Sequence, residues 1–243
     1  MVGSLLLRGM IAGLFAAVLA FGFAYGFGEP EVDYAIGLEE QKAAAAGETS
    51  DEPEIVSRAT QSTIGLATGL LIYGAAVGGI FALVFAYCYG RAAALGARAT
   101  SALLAVAAFV SVALIPQIKY PANPPAVGSA ETIASRTSLF FIVLVVSIAV
   151  TVLAVMLARR LWLEYGAWTA GIIAGAAWVA VIGVVLFALP SVNEVPADFA
   201  ADRLWGFRTT TIGIHAILWV VIGLAFGALA QARLEPRRHA ALA

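Results

Sequence analysis

Residues 189 to 213 read LPSVNEVPADFAADRLWGFRTTTIG, and they lie between two apolar runs that are each long enough to cross a bilayer. The stretch carries Asn193, Glu194, Asp198, Asp202, Arg203 and Arg208 in a chain otherwise poor in charge. Such side chains are costly in hydrocarbon, so the stretch belongs at a membrane surface or in a protected cavity. Moving outward, the same arrangement is met twice more upstream.

In each copy an apolar run reaches a proline (Pro30, Pro116, Pro190), a polar loop follows, and the next run opens on an arginine among small hydroxyl residues. The openings are Ser57-Arg58-Ala59-Thr60, Ser135-Arg136-Thr137-Ser138 and Phe207-Arg208-Thr209-Thr210. The first and third continue alike, into Ser62-Thr63-Ile64-Gly65 and Thr210-Thr211-Ile212-Gly213. The pattern admits three helical hairpins in parallel repeat. It also admits unrelated helices, because prolines and capping hydroxyls mark membrane-helix ends whatever their ancestry.

Composition settles the class. Of 243 residues, 62% are hydrophobic and 12% charged, where a soluble domain carries about 25% charged. The expected fold is therefore an all-α polytopic membrane protein whose partner is the lipid bilayer. Nothing in its charge suggests a nucleic acid. A single cysteine, Cys88, excludes an intrachain disulfide and sits in an apolar run, where packing is its ordinary role.

Hydropathy places spans at about 5–27, 64–87, 99–116, 138–158, 168–189 and 210–230 in one transmembrane domain, each near the ~20 residues that cross ~30 Å of hydrocarbon. The first is read as a retained helix, since it is too long for a signal-peptide core. The polar loops 28–60, 117–136 and 190–208 fall on one side. In the first, Pro30 to Ala45 is expected to form a short surface helix, and Asp51 or Ser50 to cap a later helix that opens at Pro53. Six spans place both termini together, with Arg8, Arg91, Arg98, Arg159, Arg160, Arg233, Arg237 and Arg238 against Glu164 and Glu235; the other side has six basic residues against thirteen acids. The positive-inside rule puts the termini in the cytoplasm and the acidic loops outside.

The glycines of Gly22/Gly26, Gly74/Gly78, Gly171/Gly175 and Gly223/Gly227 are spaced G-x-x-x-G. They are read as helix–helix contacts.

Chemistry-bearing residues are few. No span holds an Asp or Glu at its middle, which leaves a carboxylate proton relay without members. His215 is the one ionisable group well inside a span. Its imidazole would suit a transition metal, although a lone histidine more often packs than binds. A further donor for it is expected from Asn193, Gln61 or the histidine of a bound partner. The acids Glu29, Glu31 and Asp33 after the first span, and Glu194 and Asp198 after the fifth, could concentrate a cation by field focusing or simply be solvated loop charge. Arg58, Arg136 and Arg208 are expected to fix loop geometry by pairing with Glu54, Glu131 and Asp202, and Gln117, Tyr120 and Asn193 to line a vestibule. The chain has no phosphate loop, no G-x-S-x-G and no H-E-x-x-H, so an enzyme is not expected.

The segments PQIKYPANPP at 116–125 and Phe187 through Phe199, followed by Leu204-Trp205 and Phe207-Arg208, resemble the CbtA family of probable cobalt transporter subunits. Arg8-Gly9-Met10 and Gly28-Glu29-Pro30-Glu31-Val32-Asp33 are similar as well, so the likeness covers nearly the whole chain. The resemblance implies a bacterial cytoplasmic (inner) membrane protein of a cobalt uptake system linked to cobalamin biosynthesis, with cobalt as the transported ion and no resident cofactor. It also implies a small one-span, histidine-rich partner, CbtB. Members are usually described with five spans, against the six counted here. A membrane scaffold that stabilises another component is the alternative function, favoured by the shortage of intramembrane ligands.

Overall fold

A computed structural model of the chain describes residues 2–47, 55–91, 95–125 and 127–235. The expected caps Ser50 and Asp51, with Pro53, Glu54, Arg237 and Arg238, lie outside the described residues. Eight α-helices occur in chain order: α1 Val2–Phe23, α2 Glu29–Ala46, α3 Arg58–Thr60, α4 Leu66–Cys88, α5 Ala97–Ala108, α6 Ile115–Lys119, α7 Ile133–Ala188 and α8 Ala201–Leu234. Among the described residues there is no strand. Five continuous helical stretches are long and apolar enough to cross a membrane: Val2–Ala46, Arg58–Cys88, Ala97–Lys119, Ile133–Ala188 and Ala201–Leu234.

The fourth stretch explains the difference between five and six. Its 56 residues would form a rod of about 84 Å if straight, far beyond the ~30 Å core. Gly166, at φ 75° and ψ 165°, breaks it, in a backbone region open essentially to glycine alone. The two arms then fold back on one another. Trp178 Nε1 donates to Thr151 Oγ1 at 2.9 Å, and Val143 and Ile182 share one buried cluster. These pairs bracket Gly166, as an antiparallel hairpin requires. Among the described residues, five helical stretches thus hold six apolar arms long enough to cross, the fourth stretch supplying two.

Three π-helical turns join consecutive helices: Ala24–Gly28, Gln61–Gly65 and Phe109–Leu114. Two correct an expectation. The helix was expected to end near Pro30 and at Pro116, yet it continues through both, to Ala46 and Lys119. Proline lacks an N–H and crowds the carbonyl four residues back; a wider turn just upstream of each ring accommodates it. Only Pro190 follows a helix end, at Ala188. The surface helix expected at Pro30 to Ala45 is α2, continuous with α1 through the first π-turn. At Arg58 the cap is Ser57, whose Oγ accepts from the Thr60 N–H at 3.4 Å.

The contacts divide the chain into two compact units, one of residues 1–106, 122–127 and 197–243, the other of 107–121 and 128–196. In the first unit α1 and α4 pack antiparallel with backbones touching. A Cβ on Gly9 would meet the Gly78 carbonyl oxygen at 2.2 Å, and one on Gly13 the Gly74 oxygen at 1.9 Å. Ala16, Ala17 and Ala20 extend the seam and are fully buried. Helix α8 runs antiparallel to α5, where Gly223 and Gly227 face Ala105 and Ser101 and Ser101 Oγ donates to the Gly223 carbonyl at 2.7 Å. Phe81 and Phe85 meet the ring of Phe226 edge-on. Small residues and interhelical hydrogen bonds carry this packing because lipid supplies no hydrophobic drive between helices.

The glycine pairs therefore divide. Gly74/Gly78 and Gly223/Gly227 are packed, whereas an added Cβ at Gly22, Gly26, Gly171 or Gly175 would meet nothing within 4 Å. Another pair, Gly9/Gly13, lies at the tightest contact and has the same spacing in the sequence.

In the second unit the end of the 97–119 helix packs on α7. Ser147 Oγ donates to the Ser111 carbonyl, and Ile115, Tyr120, Val143 and Ile182 form the core. The pairing of 111 with 147 makes these segments antiparallel too.

Candidate functional site

At one end of the first unit, where α1 leaves and α4 and α8 begin, the helices carry a polar cap. Helix α2 cannot lie in hydrocarbon, with Glu29, Glu31, Asp33, Glu39, Glu40 and Lys42 along it. Arg58, at the first position of α3, reaches it twice: Nε donates to Asp33 Oδ1 at 2.9 Å and Nη2 to Glu29. Glu29 and Asp33 are one helical turn apart, so they share the face that meets the guanidinium.

Glu31 points from another face toward α8. Its Oε2 is buried and lies 3.6 Å from Arg203 Nη1 without a hydrogen bond. An added Cβ on Gly206 would stand 2.7 Å from Glu31 Oε1, so glycine there admits the carboxylate. Arg203 also covers the ring of Tyr34, 5.2 Å from its centroid, and Tyr34 meets Phe199 edge-on at 5.7 Å. Near the far end of α2, Lys42 Nζ pairs with Asp198 Oδ2 at 2.8 Å. The Lys42 hydrogen bond holds the Asp198 carboxyl below its ordinary range.

Arg208 takes a different partner. It donates to Asn123 Oδ1 at 2.7 Å and to the Ala122 carbonyl at 3.4 Å. The expected Asp202 stands six residues earlier on the same helix, about 240° around it, and is exposed.

The second unit has its own polar end. Glu194 Oε2 accepts from the Ser129 N–H and from Thr132 Oγ1, each at 2.8 Å, with Arg136 Nε at 3.5 Å. The Ser129 bond leads in holding the Glu194 carboxyl below its usual value, followed by Thr132. Arg136 also donates to the Ser129 carbonyl at 3.0 Å. Its expected partner, Glu131, sits exposed on the preceding 3₁₀ turn. Tyr120 Oη donates to the Pro190 carbonyl at 2.8 Å, tying the two loop ends. Gln117 is half-buried on α6 and Asn193 is exposed beside Glu194.

Arg136 and Arg208 thus anchor loops through partners other than the ones expected; Arg58 holds α2, and its expected partner Glu54 lies outside the described residues. The acids proposed as cation ligands are equally engaged: Glu29 and Asp33 with Arg58, Glu31 with Arg203, Asp198 with Lys42, Glu194 with Arg136. Among the described residues no three of His, Cys, Asp and Glu come together as a metal group.

His215 lies on α8 within the membrane-spanning stretch, half-buried, its ring edge-on to Tyr73 with centroids 6.3 Å apart. Its Nδ1 is buried and makes no hydrogen bond. Gln61, expected as a neighbouring donor, instead donates to the Val56 carbonyl at 2.8 Å. Sequence reasoning did not find Arg203 and Gly206, the seat of Glu31. The signal available was their place on one face, a turn before Arg208.

Long apolar helices, capped by charged segments too polar for lipid, define a polytopic helical membrane protein. A family model described as "Probable cobalt transporter subunit (CbtA)" matches residues 2–231. The chain belongs to the CbtA family. No curated protein matches it, and no solved structure does.

Proposed function

We propose that this chain is the membrane subunit of a cobalt uptake system that serves cobalamin biosynthesis in the bacterial inner membrane, with both termini in the cytoplasm. The observation that carries the reading is the family match over nearly the whole chain. The eight-to-two basic excess on one side supports the orientation. A transition-metal site needs several soft or borderline donors at once. Within the described residues no three of His, Cys, Asp and Glu come together, His215 Nδ1 has no hydrogen-bond partner, and the acids named as ligand candidates face arginine or lysine. That supports a shared site, in which a small one-span partner with a histidine-rich end, CbtB, supplies the further imidazoles.

In this role the acidic cap lowers the local potential for cations, and the buried, unpartnered Nδ1 of His215 offers one ligand along the first unit. No catalytic chemistry is involved. The same ion-pairing of the acids also favours a second reading, a scaffold that stabilises another membrane component without moving an ion.

Uptake of radiolabelled cobalt separates the two. Cells with this chain and the partner are expected to accumulate cobalt, and His215→Gln, which keeps size but binds such ions poorly, to abolish uptake with expression intact. Uptake by His215→Gln at the wild-type rate would remove the residue from the mechanism. Partner-dependent uptake that never requires this chain would establish the scaffold.

A further inference from the structure

Helix α2 is attached to the first unit in an unusual way. Its one fully buried residue is Ala35, so little apolar area holds it down. Charge does so instead, from three separate places: Arg58 on α3 grips Glu29 and Asp33, Arg203 on α8 faces Glu31 and covers Tyr34, and Asp198, in the segment before α8, takes Lys42. Surface ion pairs of this kind weaken with salt.

The joint between α1 and α2 is the π-turn Ala24–Gly28. It holds two glycines, of which Gly26 has open space around it and Gly28 only a Thr210 methyl at 3.5 Å from an added Cβ. Thr210 Oγ1 on α8 donates to the Phe27 carbonyl within the turn over a long 3.4 Å. A widened turn with glycines is where a helix bends most readily. Beneath α2 lie the first turns of α8, including Gly206.

We propose that α2 is a charge-latched lid, hinged at Ala24–Gly28, that closes over the polar end of the first unit and opens when its ion pairs are broken. The inference rests on this geometry and not on the cobalt reading. Closed, it seats Glu31 against Gly206 and shields the start of α8. Open, it exposes the loop-facing turns of α8 and frees the carboxylates of Glu29, Glu31 and Asp33 together. Opening therefore turns three neutralised carboxylates into an unshielded acidic face in one movement.

The test is a distance. In a Cys88→Ala background, spin labels at Ala44→Cys on α2 and Ala201→Cys at the start of α8, both exposed positions, report the separation by double electron–electron resonance in lipid nanodiscs. At low salt one short population is expected. Raising sodium chloride toward 1 M should add a longer population, and Arg58→Gln with Arg203→Gln should make it dominant at low salt. The salt titration uses the unaltered charge set, so it stands even where the double variant fails to fold. A single short population at every salt concentration would overturn the lid and make α2 a fixed part of the scaffold, whatever the cells do with cobalt.

Discussion

The contact between α1 and α4 supports a prediction whose sign differs between glycines of identical spacing. Replacing Gly13 by alanine puts a Cβ 1.9 Å from the Gly74 carbonyl oxygen, and ordinary contact begins at 3.4 Å. The helices must part by about 1.5 Å locally, and because the obstacle is backbone no side-chain rotation relieves it. Overpacking of this kind costs about 1–3 kcal/mol, and the clash places Gly13→Ala near the upper end. Alanine recovers about 0.5–1 kcal/mol of helix propensity. The net expectation is a loss of about 2–2.5 kcal/mol. Gly22→Ala, on the same helix with nothing within 4 Å, keeps the propensity gain and should be neutral or stabilised. Unfolding by sodium dodecyl sulfate in mixed micelles, followed by tryptophan fluorescence, measures both. A Gly13→Ala protein as stable as wild type, or a Gly22→Ala protein that loses as much, would refute the backbone-contact argument.

Three further predictions concern other contacts. Gly166→Ala meets no atom, so its cost is the backbone conformation alone, about 1–3 kcal/mol, read in the same titration; an unchanged midpoint would mean that the α7 arms do not turn there. Ser101→Ala removes the buried bond to Gly223 and should cost about 0.6 kcal/mol, the usual value for such bonds in membranes; no loss would show that the bond is not formed. The Glu194 carboxyl is held below its ordinary value by Ser129, Thr132 and Arg136, so the stability it lends is present above the unfolded-state value and is lost as pH falls through the folded one. Amide protection factors at residues 129–132, which are corrected for the slower intrinsic exchange in acid, should therefore fall as the pH drops below the ordinary carboxylate range. Glu194→Gln should lower them at neutral pH and flatten the acid response; an acid response unchanged in that variant would assign it to another group.

Legibility followed the range of the governing physics. That the chain crosses a membrane repeatedly, that its polar segments are 28–60, 117–136 and 190–208, and that two passes meet between 158 and 168 are consequences of local hydropathy. A run of ~20 apolar residues has few alternatives to a spanning helix, because unpaired backbone is intolerable in lipid. The arginines were visible as helix openers for the same reason. His215 stood out because titratable groups are rare within spans.

Other features depended on what came to lie opposite. The G-x-x-x-G spacing is the same in Gly74/Gly78 and in Gly171/Gly175, yet only the former is packed within the chain; lipid tails are as apolar as a neighbouring helix, so spacing alone does not distinguish them. The partners of Arg136 and Arg208 were misjudged because proximity in sequence favoured Glu131 and Asp202, whereas helix rotation and loop closure brought Glu194 and Asn123. Helices continue past Pro30 and Pro116 because π-turns formed where the rings needed room. Hydropathy acts on each residue through its solvent and can be read one window at a time; ion pairs, backbone contacts and the seat of Glu31 on Gly206 are relations between distant segments, and they existed only once the helices had packed.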